Sequence, residues 1–451
     1  MDNSKKLLPI FLIVFSSMSF AQQMTVSGSK TAYQYDTTQH LTPAPKGYQA
    51  FYINHIGRHG SRYISKEKYE DIAYNILLLA DKEDQLTNRG KALLKQVATI
   101  MQLNKNHYGE LTDLGRKDIS LISQRMLANN PTVFKGQQLD VITSSSPRAK
   151  ETSKIFMQAF NTKYPNVEIR QQPDDAQTLL RFFDYSPAYY EYKSSKTLKK
   201  AIKSLEHAPQ TIQMGDEIAK KIFTSDFSSK LNNGVDVIGK STIKTNDFVI
   251  AIYQLYQELL AFPSQVLTDN HLDLSTYFSL EEQTWLNTVV GTKNYLQIGP
   301  AFDANGIQIK IAAPLLWHMI HTADEAIANQ KLDANLRFAH AETVSPLATL
   351  LEINGTYTVT NSLFDYPSVW QADKIVPMSA NIQWIFYQSQ QTNQPVLVKV
   401  LLNEQEVKIP VPTNNYPYYR WQDVKQFYIN KLNKLGLTDS QNTLEMLKNL
   451  K

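Results

Sequence analysis

The sequence predicts an α/β protein carrying a mostly helical insert, and three observations predict it. Residues 48–56 form an apolar, aromatic run with the composition of a buried strand. Two further runs of that kind, residues 139–142 and 336–339, also end in polar turns. Between residues 179 and 321 the pattern is almost wholly helical and rich in Lys, Tyr and Gln. A chain of 451 residues suits one large α/β unit with an insert, or two domains. The expected division is a leader at 1–21, an α/β unit from 22–175 and 330–451, and a helical cap over 176–329.

The N-terminus reads as a secretory leader. Lys5 and Lys6 precede an apolar stretch over residues 7–15, and Ser19-Phe20-Ala21 has the small-x-small pattern of a cleavage site. The apolar stretch is shorter than the ~20 residues that a spanning helix needs, so cleavage after Ala21 is expected rather than anchoring. Loss of Asp2, Lys5 and Lys6 leaves 44 Lys+Arg against 41 Asp+Glu. A surplus that small gives no reason to expect a nucleic-acid partner. The chain has no cysteine, which excludes disulfides, thiolate metal sites and thiol nucleophiles. An exported chain without disulfides points to a bacterial periplasm, outer surface or secreted fraction.

Residues 22–47 read as irregular. The first strand follows and ends in Gly57-Arg58-His59-Gly60-Ser61-Arg62-Tyr63. Glycine permits tight turns and close approach of a ligand to backbone. Arginine grips phosphate or carboxylate oxygens with paired donors. The loop therefore reads as an oxyanion site centred on His59. Three helices come next. Ile72, Ile76 and Leu79 mark the first, Leu93, Val97 and Ile100 the second. Thr112 is the expected N-cap of the third, which ends at Asn129-Asn130-Pro131.

The second strand, 138–143, runs into Ser144-Ser145-Ser146-Pro147-Arg148 and a helix reaching Phe160. Arg148 thus sits at a helix N-terminus, where backbone N–H groups favour anions. Alone it reads equally well as a helix-surface residue. Residues 167–170 read as a short third strand. In the insert, Lys193, Lys196, Lys199, Lys200 and Lys203 read first as a solvated helix face and second as an attractor of polyanions. His318 and His321 lie at i and i+3 on a helix over 312–328. No His-Glu-x-x-His pattern accompanies them, and a structural or surface role is expected over metal binding. A late strand ends in His340-Ala341-Glu342. Residues 396–402 and 406–410 read as an edge hairpin, and 421–435 as a terminal helix stopped at Gly436.

In open α/β sheets ligands gather at the carboxyl ends of strands. If the three strands are neighbours, Arg58, Arg62 and Arg148 converge on one phosphoryl group. A neutral His59 nitrogen can then attack phosphorus, its other nitrogen fixed by an acceptor such as the Gly60 carbonyl. A neutral Glu342 can protonate the leaving alkoxide and later activate water. His340 is a further donor to the phosphoryl oxygens. With the arginines neutralising charge, no metal or cofactor is called for.

These residues resemble the histidine acid phosphatase branch of the histidine phosphatase superfamily. Within it the chain is more similar to the multiple inositol polyphosphate phosphatases, through Arg58-His59-Gly60-Ser61-Arg62-Tyr63 and through His340-Ala341-Glu342 in place of His-Asp. Gly28-Ser29-Lys30-Thr31 and Leu180-Arg181-Phe182-Phe183-Asp184 are similar to family stretches too. The resemblance implies a phosphoglycerate-mutase-like fold, a central mixed sheet flanked by helices with a helical insert domain. It implies hydrolysis of inositol polyphosphates, including phytate, through a phosphohistidine. His59 would be the nucleophile and Glu342 the proton donor. Arg58, Arg62, Arg148 and His340 would bind phosphate, and Lys30 and Arg181 would be candidates for the remaining phosphates. The alternatives are a broad-specificity acid phosphatase on small phosphomonoesters and a phosphate-binding protein without turnover. A phosphomutase fits poorly with export.

Overall fold

A computed structural model describes residues 28–171, 176–237, 242–440 and 442–451. The expected leader, residues 1–21, lies outside the described residues. The strands in chain order are β1 Tyr48–Arg58, β2 Gln138–Thr143, β3 Glu168–Gln171, β4 Val235–Asp236 and β5 Thr242–Ile243. They continue with β6 Ala334–Ala339, β7 Asn381–Ser389, β8 Leu397–Leu402, β9 Gln405–Glu406 and β10 Tyr418–Arg420. All but β4 and β5 join one mixed sheet in the order β10-β8-β7-β1-β6-β2-β3, with β9 also paired to β8.

The sheet is parallel on one side and antiparallel on the other. β6 lies between β1 and β2 and runs parallel to both, while β7 and β8 continue antiparallel beyond β1. Register brings Arg58 level with Ala339, and Thr143 level with Phe338. The carboxyl ends of β1, β6 and β2 are therefore adjacent and flush. These are the three strand ends on which the sequence places Arg58 and His59, His340 and Glu342, and Arg148.

Alternation along the strands explains why both faces are buried. Ile53, Leu336, Phe338 and Ile385 point to one face, against Ile119, Ile122, Phe156 and Phe160. The last four belong to the helices Asp113–Asn129 and Pro147–Lys163. Tyr52, Ile56, Trp384 and Phe386 point to the other face. There they meet Leu315 and Leu316 of helix Ala313–Asn329, Val344 of helix Ala341–Leu350 and Tyr428 of helix Trp421–Lys434.

Among the described residues between β3 and β6, the regular elements are helices apart from the small β4–β5 pair. One of these helices is Thr245–Leu259.

 Phe248, Ile252 and Leu255 share a core with Ile218 and Ile222, and also with Ile72, Ile76, Leu93, Val97 and Ile100 from the chain before β2. The helices Lys68–Lys82 and Asn88–Asn104 thus pack with the insert rather than on the sheet.

Local signals explain several boundaries. Thr112 caps its helix by accepting from the Gly115 N–H at 3.3 Å, and Thr87 caps the helix before it by accepting from Gly90 at 3.0 Å. Gly436, with φ +72°, follows helix Trp421–Lys434 as expected, but that helix is not terminal, since helix Thr443–Asn449 comes after it. The C-terminal hairpin differs from expectation. Its second strand is only Gln405–Glu406, because the Ile409 N–H turns to the Tyr419 hydroxyl and Pro410 has no N–H to give. The hairpin does lie at the edge, which it shares with β10 paired to the other half of β8. The lysine-rich helix Lys196–Glu206 buries Leu198 and Leu205 and leaves Lys196, Lys199, Lys200 and Lys203 exposed. His318 and His321 have separate partners. His318 accepts from Arg337 at 2.8 Å, and His321 meets Asp439 at 2.9 Å.

Candidate active site

The Arg58-His59-Gly60 backbone is pinned between two strands. The Arg58 N–H donates to the Ala380 carbonyl at 2.7 Å, and the His59 N–H to the Ala339 carbonyl at 3.0 Å. The turn after His59 presses on the start of helix Asp113–Asn129, where Thr112 N–H donates to the Ser61 carbonyl at 2.9 Å. A Cβ on Gly115 would stand 2.1 Å from that carbonyl oxygen, and one on Gly60 would stand 2.8 Å from the Gly115 carbonyl oxygen. Gly115→Ala should therefore push the loop off its position. The expected cost is about 2 kcal/mol or more in stability, with a fall in phosphatase activity. Thermal unfolding beside a kinetic assay checks it, and an unshifted Tm with full activity would refute the contact.

His59 is buried, and its Nδ1 lies 2.9 Å from the Gly60 carbonyl oxygen. That carbonyl can only accept, so Nδ1 carries the proton and Nε2 keeps its lone pair. Burial, and then the charges of Arg58 and Arg148, hold the imidazole pKa well below its ordinary value. His59 is thus a neutral ring with a free nitrogen over a wide pH range.

Arg58 donates through Nη1 to the carbonyls of Ser29 and Val376, the latter at 2.6 Å. Burial, with Arg62 adding repulsion, pushes its pKa down to about 9. Arg62 donates to the Tyr63 carbonyl at 2.8 Å and lies 3.4 Å from a Glu258 oxygen. Arg148 stands in the first turn of helix Pro147–Lys163, which Ser146 caps. Its pKa is lowered by burial first and then by Arg62. Among the described residues, Nε of Arg58 and Nε of Arg148 have no hydrogen-bond partner. Cations so crowded and so incompletely paired form a site that an anion would relieve.

His340 is the N-cap residue of helix Ala341–Leu350. Its Nε2 lies 2.7 Å from Ser144 Oγ and 3.3 Å from Arg181 Nη1. Arginine has no acceptor, so Nε2 accepts there and the ring proton resides on Nδ1. The His340 ring lies edge-on to His59 with centroids 5.7 Å apart. Burial holds its pKa down, Glu342 opposes this, and Arg148, Arg181 and Arg58 reinforce it. Glu342 follows in the first helical turn and opens into the cleft. Burial works against its ionisation, but His340, its own backbone N–H, Arg58 and Arg148 outweigh that and hold the carboxyl below the usual range. These surroundings favour the carboxylate form of Glu342.

A cleft of about 260 Å³ joins these groups, lined by Lys30, Arg58, His59, Arg62, Arg148 and Glu342. Arg181 is held by Asp184 at 2.6 Å and reaches the site through His340. The far wall belongs to the insert: Gln254 and Gln257 from helix Thr245–Leu259, and Asn287, Lys293 and Asn294 from helix Leu280–Ile298. Sequence reasoning missed all five, and Ser144 and Glu258 as well. A polar residue on an amphipathic helix has no spacing that marks it as a cleft residue. Ser144 alone carried a signal, as the first residue past β2. The Tyr63 ring packs between His107 and Phe262, at 5.2 and 5.1 Å, and does not line the cleft. Its carbonyl, not its ring, serves the site, by holding Arg62.

The model of the Histidine phosphatase superfamily (branch 2) matches residues 52–403. The chain belongs to that family. Among solved structures, the fold of this histidine phosphatase is similar to the Bifidobacterium longum multiple inositol polyphosphate phosphatase in complex with phosphate. The TM-score is 0.79 at 21% identity, covering 90% of this chain and 97% of that one. The same B. longum protein in complex with inositol hexasulfate gives 0.78 at 22%, covering 89% and 97%. The phytase from D. castellii gives 0.66 at 14%, covering 91% and 87%. No curated protein matches the chain. At these identities the likeness speaks for the shared fold, a mixed sheet with a large helical complement.

Proposed function

We propose that this histidine phosphatase hydrolyses phosphomonoesters of inositol polyphosphates, phytate among them, through a phosphohistidine on His59. The observation that carries the reading is the Nδ1 contact of His59 with the Gly60 carbonyl, which leaves Nε2 free beside three arginines. Family membership supports phosphatase chemistry. The inositol hexasulfate bound to the B. longum relative supports a ligand with several anionic groups around one ring. The cleft has cations beyond those one phosphoryl group needs, in Lys30 and Lys293.

Arg58, Arg62 and Arg148 hold the oxygens of the attacked phosphoryl group, and His340 donates to it through Nδ1–H. Nε2 of His59 attacks phosphorus in line, and the bond from phosphorus to the ester oxygen breaks. Glu342 protonates that oxygen as it leaves. The doubly negative phosphate offsets the arginine field that favours an ionised Glu342, so its proton affinity rises as substrate binds. Water then attacks the phosphohistidine while the Glu342 carboxylate takes its proton. Inorganic phosphate departs and His59 returns to its neutral form. Lys30 and Arg181 serve the phosphates that are not attacked.

Phosphate release from phytate should exceed release from a simple aryl phosphate at matched low concentration. A strong preference for the aryl ester would sink the substrate assignment and favour a broad-specificity phosphatase. Within this reading the helical cap is residues 176–329, over an α/β unit of 22–175 and 330–451. The protein is exported, to the periplasm, outer surface or medium of a bacterium, by a leader cleaved after Ala21. N-terminal sequencing of the mature protein tests this, and an intact Met1 would refute it. Among the described residues no helix is long and apolar enough to cross a membrane.

A further inference from the structure

A buried carboxylate stands directly behind two cations that line a cleft for polyanions. Glu258 lies on helix Thr245–Leu259 and is almost inaccessible to solvent. One of its oxygens is 2.6 Å from Lys30 Nζ, and the other is 3.4 Å from Arg62 Nη1. Gln254, one turn earlier on the same helix, accepts from Lys30 at 2.6 Å. Three segments distant in sequence therefore meet at Glu258: the N-terminal strap, the loop after β1 and the insert. Towards an incoming phosphate the carboxylate is repulsive, so affinity does not account for it. Position does. Lysine and arginine side chains are long and lose much freedom when fixed. A shared carboxylate fixes both before the ligand arrives.

We propose that Glu258 is a positioning residue that presets Arg62 for the attacked phosphoryl group and Lys30 for a neighbouring phosphate of the same ligand. This rests on the reading of the cleft as an inositol polyphosphate site. Its removal loosens two cations at once, so a ligand with several phosphates loses more than a ligand with one. The carboxylate stays charged, since Lys30 and Arg62 outweigh the effect of burial.

Glu258→Ala should raise KM for phytate on the order of tenfold. The inhibition constant of inorganic phosphate should rise by a smaller factor, as Arg62 alone of the two cations on Glu258 serves it. Glu258→Gln keeps the shape and one acceptor, so it should fall between wild type and Glu258→Ala and guards against misfolding of the latter. In a Lys30→Ala background, Glu258→Ala should no longer change the ratio of phytate to aryl phosphate activity. A tighter phosphate inhibition constant in Glu258→Gln would overturn the proposal, because Glu258 would then only be repelling anions. Equal losses on phytate and aryl phosphate, or a lower Tm with unchanged kinetics, would overturn it too. If the wild type released no phosphate from phytate, the substrate reading would fail separately. The phosphate inhibition constant would still decide whether Glu258 positions Arg62.

Discussion

His59→Ala should abolish turnover, with kcat falling by about four orders of magnitude or more. Phosphate binding should survive, because Arg58, Arg62 and Arg148 hold their places through carbonyls, Glu258 and a helix N-terminus rather than through His59. The two readouts are a stopped assay with phytate and competition by inorganic phosphate. Rapid base quench of the wild type during turnover should yield a base-stable, acid-labile phosphoryl adduct that His59→Ala lacks. Activity within tenfold of wild type would remove His59 as nucleophile. The acid side of the pH profile follows from the same geometry. The His59 pKa is depressed, so its neutral form persists as pH falls through ~6.5, the value at which an ordinary histidine protonates. The nucleophile should therefore not be what limits the rate at mildly acid pH. A loss of kcat/KM with a midpoint near 6.5 on acidification would contradict this.

Much of the clamp was legible because its residues follow strands. Arg58 ends β1 and His59 directly follows it, Arg148 follows β2 by a few residues, and His340 and Glu342 follow β6. A strand's composition marks its end, and residues at strand ends share one edge of the sheet when the strands are neighbours. The tautomer of His59 was legible as well, since the Gly60 carbonyl is the nearest acceptor the chain supplies. β7 was not legible, although it is the antiparallel neighbour of β1 and carries Ile382, Trp384, Ile385 and Phe386 into both faces of the core. Its Asn381 and Gln383 interrupt the apolar run, yet both are buried and hydrogen-bonded to one another at 2.9 Å. The partnership of Glu258 with Arg62 spans 196 positions and depends on how the insert folds back, which no local pattern encodes.

Glu342→Gln should separate substrates by leaving group. An inositol alkoxide departs poorly without a proton, whereas an acidic phenol departs as its anion. The ratio kcat/KM reports steps up to cleavage of the ester bond, so it isolates proton donation from the later hydrolysis. For phytate it should fall by about 10²–10⁴, and for an aryl ester of an acidic phenol by about tenfold or less. Water attack on the phosphohistidine also loses its base. The aryl ester should therefore release a burst of phenol followed by a slow steady state, because the intermediate accumulates. The sign of the pH dependence follows from the lowered pKa of Glu342. A depressed pKa means that the acid form exists only at low pH. For wild type, kcat/KM on phytate should rise as pH falls through the ordinary carboxylate range near ~4.3 and go on rising below it. Within the complex the bound phosphate offsets Arg58 and Arg148, so the same decline in kcat with rising pH should come at higher pH. Glu342→Gln should flatten both declines. Equal losses on phytate and the aryl ester, with no burst, would mean that another group delivers the proton. Ser144 and His340, 2.7 Å apart beside the cleft, would be the next candidates.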